Sequence, residues 1–169
     1  MTRLTEDDIL QQLEAQDTLS SFMSTTNNML MEGIHKFLPS LFVNNDEEIL
    51  EYAVKPLLAR SGPLDDINVS LRLIYALGKI DKWLYSDIIS FSQFHEYLSE
   101  QNNDVDFLSD MTWDFVCNIN AITNNEILFS GLKRIKFADF AIYSDIRFIQ
   151  MLKTTLTLAV TEILQELNP

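Results

Sequence analysis

Cysteine occurs once in this 169-residue chain, glycine and proline four times each, and basic residues are outnumbered by acids, 12 Lys+Arg against 25 Asp+Glu. Each shortage excludes something. A single thiol, Cys117, leaves no internal disulfide and no cysteine-held iron–sulfur cluster built by this chain alone, and it suits a reducing compartment. So few glycines and prolines argue against a sheet-rich plan, which needs many tight turns. The formal charge of −13 opposes non-specific binding to DNA or to an anionic membrane, because phosphate contacts need clustered cations. No apolar run approaches the ~18 residues of a membrane span. The first ten residues, MTRLTEDDIL, lack the apolar stretch of a secretory signal. A cytoplasmic protein is expected, with proteins or small molecules as partners.

What is present is helical periodicity. Nearly half of the residues are apolar, enough for one domain with a core, spanning 1–169. Thr5 followed by Glu6, Asp7 and Asp8 opens a short helix with Ile9, Leu10 and Leu13 on one face. A longer helix starts at Asp17 or Thr18 and carries Leu19, Phe22, Met23, Leu30, Ile34, Phe37 and Leu38, until Pro39 ends or kinks it. Asn45-Asp46-Glu47-Glu48 is another N-terminal signature, with Ile49, Ala53 and Leu57 at helical spacing and Pro56 disturbing the geometry at Lys55. Further helices are predicted over Lys82–Glu100, from Ser109-Asp110, from Thr123-Asn124-Asn125-Glu126, and from Ser144-Asp145 to the end. The result is an all-α, single multi-helical domain of about seven or eight helices with a long C-terminal helix. Phe140–Tyr143 is the best strand candidate and is too short to build a sheet.

Signatures of chemistry are scarce. There is no GxGxxG, P-loop, GxSxG or HExxH. His35 and His95 fall on different predicted helices, so no metal site is expected, and no cofactor. Cys117 sits between Val116 and Ile119, the setting of an inert buried thiol. Leu132–Lys136 reads LKRIK; three cations there suit a helix C-terminus better than a DNA reader.

The stretch from Ser61 to Asp81, SGPLDDINVSLRLIYALGKID, stands apart. Ile67, Leu71 and Ile74 form one apolar row and Val69, Leu73 and Leu77 a second, which predicts a central apolar helix near 66–78. Asn68, Arg72 and Lys79 share the remaining strip, with Tyr75 beside it. In one reading Gly62-Pro63 makes the turn, an aspartate caps the helix, Arg72 anchors it through an ion pair and Gly78 supplies the C-terminal cap. In the other, Asp65, Asp66, Arg72, Tyr75 and Lys79 line a polar or ligand-binding site. Catalytic residues are not identified by either.

The run EYAVKPLLARSGPLDDINVSLRLIYALGKID resembles the hallmark segment of the mannitol operon repressor family. The matching pieces are Tyr52–Leu58, Gly62-Pro63-Leu64 with Asp66, Leu71-Arg72-Leu73 and Tyr75-Ala76-Leu77-Gly78. The likeness extends less sharply over most of the chain, and is nearest to the shorter, YggD-like branch, which has also been assigned fumarase activity. The resemblance implies an all-helical regulator without a DNA-binding motif. Any effect on transcription is then expected to be indirect, through a protein partner such as a sugar phosphotransferase system phosphocarrier. The branch implies the alternative of a fumarate hydratase acting on a small dicarboxylate. Arg72 with Lys79, or the LKRIK cations, would clamp a carboxylate, and His35, His95 or a carboxylate would act as base. A third alternative is a non-enzymatic helical interaction module, homodimeric through its last helix.

Overall fold

The computed structural model describes residues 4–43, 45–101, 104–139 and 144–168. These residues form helices and connecting turns with no strand among them: α1 (Glu6–Glu14), α2 (Leu19–Phe37), a 3-10 turn (Leu38–Leu41), α3 (Glu47–Ile49), a π turn (Leu50–Val54), α4 (Lys55–Leu58), α5 (Ile67–Ala76), α6 (Lys82–Glu100), α7 (Asp110–Cys117), α8 (Asn120–Thr123), α9 (Glu126–Lys136) and α10 (Asp145–Glu166). The strand candidate Phe140–Tyr143 lies outside the described residues.

The helix starts follow from local chemistry. Thr5 accepts a hydrogen bond from the Asp8 N–H at 3.1 Å while the Asp8 carboxylate accepts from the Thr5 N–H at 2.9 Å, a reciprocal capping box. The Thr5 N–H and, at 2.7 Å, the Thr5 hydroxyl both donate to that carboxylate and hold the Asp8 carboxyl below its ordinary pKa, because they favour the ionised form. Asp46 caps α3 through the N–H groups of Glu48 and Ile49, and Asn125 caps α9 through Leu128. Pro39, which has no N–H to give, follows directly on the end of α2 and sits in the 3-10 turn.

Pro56 has a subtler effect. It cannot donate to the carbonyl one turn back, and its ring crowds that carbonyl. The preceding turn widens to π geometry, closed by the Lys55 N–H on the Leu50 carbonyl. The widening shifts the inward face by one residue. Ile49 and Ala53, expected inside, are exposed; Leu50 is half-buried and Val54 buried in their place.

The core is one continuous cluster in which α10 and the α2–α6 pair hold the middle. On α10, Phe148, Leu152, Leu156, Ala159, Val160 and Ile163 are buried, so its apolar stripe serves as a core face within the chain. Gly33 lets α10 lie close against α2: a Cβ there would stand 3.0 Å from Leu164 Cδ2. Helix α5 differs from the central helix expected near 66–78. It buries one face (Ser70, Leu71 and Ile74); of its second apolar row Leu73 is half-buried against the core, while Val69 44% and Leu77 52% are exposed. Periodicity gave two apolar rows, and one helix on the rim of the bundle has neighbours for the first and only part of the second.

One fully buried carboxylate ties the two halves together. Asp87 on α6 accepts from the Asn120 N–H at 2.7 Å, the Asn120 side-chain amide at 2.8 Å and the Ala121 N–H at 2.8 Å. It thus supplies, from a distant helix, the N-terminal cap that Ile119 cannot give α8. Asp87→Ala would strand buried donors at that turn and is expected to lower stability by about 3 kcal/mol, read from urea unfolding; a loss below about 0.5 kcal/mol would show that the cap is dispensable.

Candidate functional site

The Ser61–Asp81 segment is built as a clipped loop feeding a capped helix. Ser61 takes a left-handed backbone conformation, φ 66°, which its side chain disfavours. The Asp65 carboxylate holds it there by accepting from the Ser61 N–H at 3.1 Å. Gly62 is required by space: a Cβ would lie 2.6 Å from the Pro56 carbonyl oxygen and 2.8 Å from that of Ala59. Asp66 caps α5 through the Asn68 N–H at 2.8 Å, and the buried Ser70 hydroxyl donates to the Leu64 carbonyl at 2.6 Å. At the other end Gly78, φ 67°, donates to Tyr75 while Lys79 donates to Ile74, a paired closure that satisfies the last carbonyls.

Asp65, Asp66, Arg72, Tyr75 and Lys79 are all exposed. The two aspartates already serve the backbone. Tyr75 stacks on Tyr85 of α6 with ring centroids 4.5 Å apart. Arg72 has no carboxylate within 4.0 Å among the described residues, so the anchoring ion pair anticipated for it is not made; its guanidinium stands in water and needs none. His35 of α2 approaches Asp65 at 4.0 Å. The structure therefore brings His35 and Asp65 together and leaves Arg72 exposed on α5 and Lys79 exposed past its end.

Other residues singled out in the sequence fall as follows. Cys117 is half-buried rather than buried; burial, then Asp114, push its thiol pKa up against the opposing pull of Lys133 and Lys136, a shift that favours the protonated form. The LKRIK cations do occupy the last turn of α9. No group of three His, Cys, Asp or Glu side chains among the described residues has the arrangement to hold a metal ion. No helix of the described residues is long and apolar enough to cross a membrane. The surface grooves are shallow seams between helices. One runs along the start of α2, lined by Asp17, Ser20, Ser24, Val105, Asp106 and Ile149. Another lies beside α8, where burial, then Glu166 and Asp87, push the Glu162 carboxyl up. Sequence reasoning passed over Asp87, since an aspartate amid Leu84, Ile88 and Phe91 gives no sign of the Asn120 turn it meets.

The Ser61–Asp81 loop and its caps serve the architecture of the helical bundle, and the polar side chains of α5 lie at its surface. Residues 5–168 match the mannitol repressor family model, and the chain belongs to that family. It is 64% identical to Fumarase E of Escherichia coli strain K12, with the whole of both chains covered. It is 28% identical to the mannitol operon repressor of the same strain, over 99% of this chain and 84% of that protein. Among solved structures, a possible transcriptional regulator, YggD, from Shigella flexneri superposes with a TM-score of 0.93 at 62% identity, covering 99% of each chain. A chain of the MtlR–HPr complex from Escherichia coli gives a TM-score of 0.78 at 26% identity, over 97% of this chain and 98% of that one.

The contrast between Gly62 and Arg72 is measurable. Gly62→Ala must displace backbone carbonyls and is expected to cost about 1–3 kcal/mol, whereas Arg72→Ala at the surface should stay within about 0.5 kcal/mol. Thermal or urea unfolding of the two variants decides it. A large loss for Arg72→Ala would mean that its guanidinium holds the fold after all.

Proposed function

We propose that this chain is a regulatory protein that acts by binding a protein partner, and that its effect on transcription is indirect. The supporting observation is its membership of the mannitol repressor family together with its full-length likeness to a chain seen in complex with HPr. The −13 charge, opposed to phosphate backbones, fits partner binding better than operator binding. The partner in this reading is a phosphocarrier of the sugar phosphotransferase system. Calorimetry with purified HPr should give saturable one-to-one binding, and a promoter fragment should not be shifted at physiological salt. A specific shift of the DNA by the protein alone would sink the indirect model; absence of HPr binding would sink the choice of partner.

A second reading is favoured by a different observation. The relatives at 64% identity over the full length, from Escherichia coli and Shigella flexneri, are both Fumarase E. This reading makes the chain a fumarate hydratase interconverting fumarate and malate. Hydration needs a cation for the carboxylates, a group to move the proton, and stabilisation of the aci-carboxylate that forms. Incubation with the protein should then remove the absorbance of fumarate, and the assay is run with and without a metal chelator. Protein that leaves fumarate untouched, with and without added divalent metal, would remove the hydratase.

A further inference from the structure

The acidic character of the chain makes its unneutralised cations conspicuous. Several basic groups are spoken for: Lys36 pairs with Glu32 at 3.8 Å, Lys55 pairs with Glu51, and Lys153 donates to the carbonyls of Glu14 and Gln16 at 3.0 and 2.6 Å. Lys133 and Lys136 are different. Among the described residues neither has a carboxylate within 4.0 Å. Yet both are held in place. The Lys133 ammonium sits 4.4 Å from the centroid of Phe129, and the Lys136 ammonium 5.4 Å from Trp113 and 5.2 Å from Phe148. Trp113 in turn stacks near Phe129 at 6.4 Å, so the two ammoniums stand over one aromatic floor shared by α7, α9 and α10. Both also act on the same thiol, Cys117, one turn along α7 from Trp113.

Two like charges three residues apart on one helix repel, and Asp114, the acid that acts with them on the Cys117 thiol, makes no ion pair within 4.0 Å with either. The cations suit the end of a helix, but that end is already closed: the Phe137 N–H reaches the Lys133 carbonyl at 3.0 Å and the Ala138 N–H that of Ile135 at 3.3 Å. Dipole compensation alone asks for charge near the terminus; it does not ask for two ammoniums pinned on adjoining rings. A pair of cations pinned on aromatic rings, with no carboxylate partner among the described residues, is preorganised for an anion, since little side-chain freedom remains to be lost on binding.

We infer that Lys133 and Lys136, set on the Phe129–Trp113 floor, form a binding site for a small carboxylate-bearing anion. A flat, conjugated carboxylate can lie along the aromatic faces while its oxygens take the ammonium protons, in charge-assisted hydrogen bonds. Cys117 and Asp114 border the site without belonging to it. The choice of fumarate as probe rests on the hydratase reading; the site itself does not.

Trp83 and Trp113 are the two tryptophans of the chain, so Trp83→Phe leaves Trp113 as the reporter. Titration of that protein with fumarate should change its fluorescence saturably. Adding Lys133→Gln and Lys136→Gln together should weaken binding by roughly tenfold or more, while Arg60→Gln, an exposed cation elsewhere, should leave it unchanged. Calorimetry on the chain with native Trp83 gives the same comparison if that substitution disturbs folding. No saturable binding, or equal binding by the double lysine variant, overturns the inference. Inorganic phosphate binding as tightly as fumarate overturns the carboxylate preference. Turnover together with fumarate binding that both survive the lysine changes would leave a hydratase standing and this site fallen. Lysine-dependent binding without turnover would do the reverse.

Discussion

One carboxylate buried out of reach of water sets the register between α6 and α8. Asp87 carries its carboxylate into the interior, where an uncompensated charge would be prohibitively costly, and three N–H groups at the start of α8 meet it there. The arrangement is directional. It fixes how far α8 penetrates between α6 and α10, and through α8 it fixes where α7 and α9 can lie. Apolar contacts supply most of the cohesion but tolerate sliding; the capped turn does not. The aromatic floor of α7 and α9 inherits its position from that registration.

Charge is distributed along the same division of labour. Acids gather at helix starts, where they cap and oppose the dipole: Asp8, Asp46 and Asp66 each accept backbone N–H groups. Much of the −13 balance is therefore invested in local structure. Basic residues are few, and the cluster at the end of α9 stands out against that background as a local reversal of potential.

Much of the architecture was legible because short-range rules govern it. Thr5, Thr18, Asp46 and Asp66 mark helix starts whose caps form as the residue types require, and Gly78 closes α5 in the left-handed conformation that glycine favours. Lys82–Glu100 is a helix over the span its periodicity indicated. What resisted reading was long-range. The second row of α5 looked like core because apolar spacing says which residues share a face and not whether another helix arrives to cover it. Asp87 looked unremarkable because its partners are 33 and 34 residues away. The residues chosen around Arg72 were polar positions on an apolar helix. That is a sound signal for a site only if the helix is central, and α5 lies at the rim.

The widened turn before Pro56 decides which side chains this stretch turns inward. A π turn accommodates one residue more than the regular ladder would, and Pro56 prevents that residue from being absorbed. The stretch from Glu47 to Leu58 is thus a helix with a phase slip written into it, and its inward positions fall at 50 and 54 rather than 49 and 53. A regular helix over the same residues would bring a different set of side chains to the same surface.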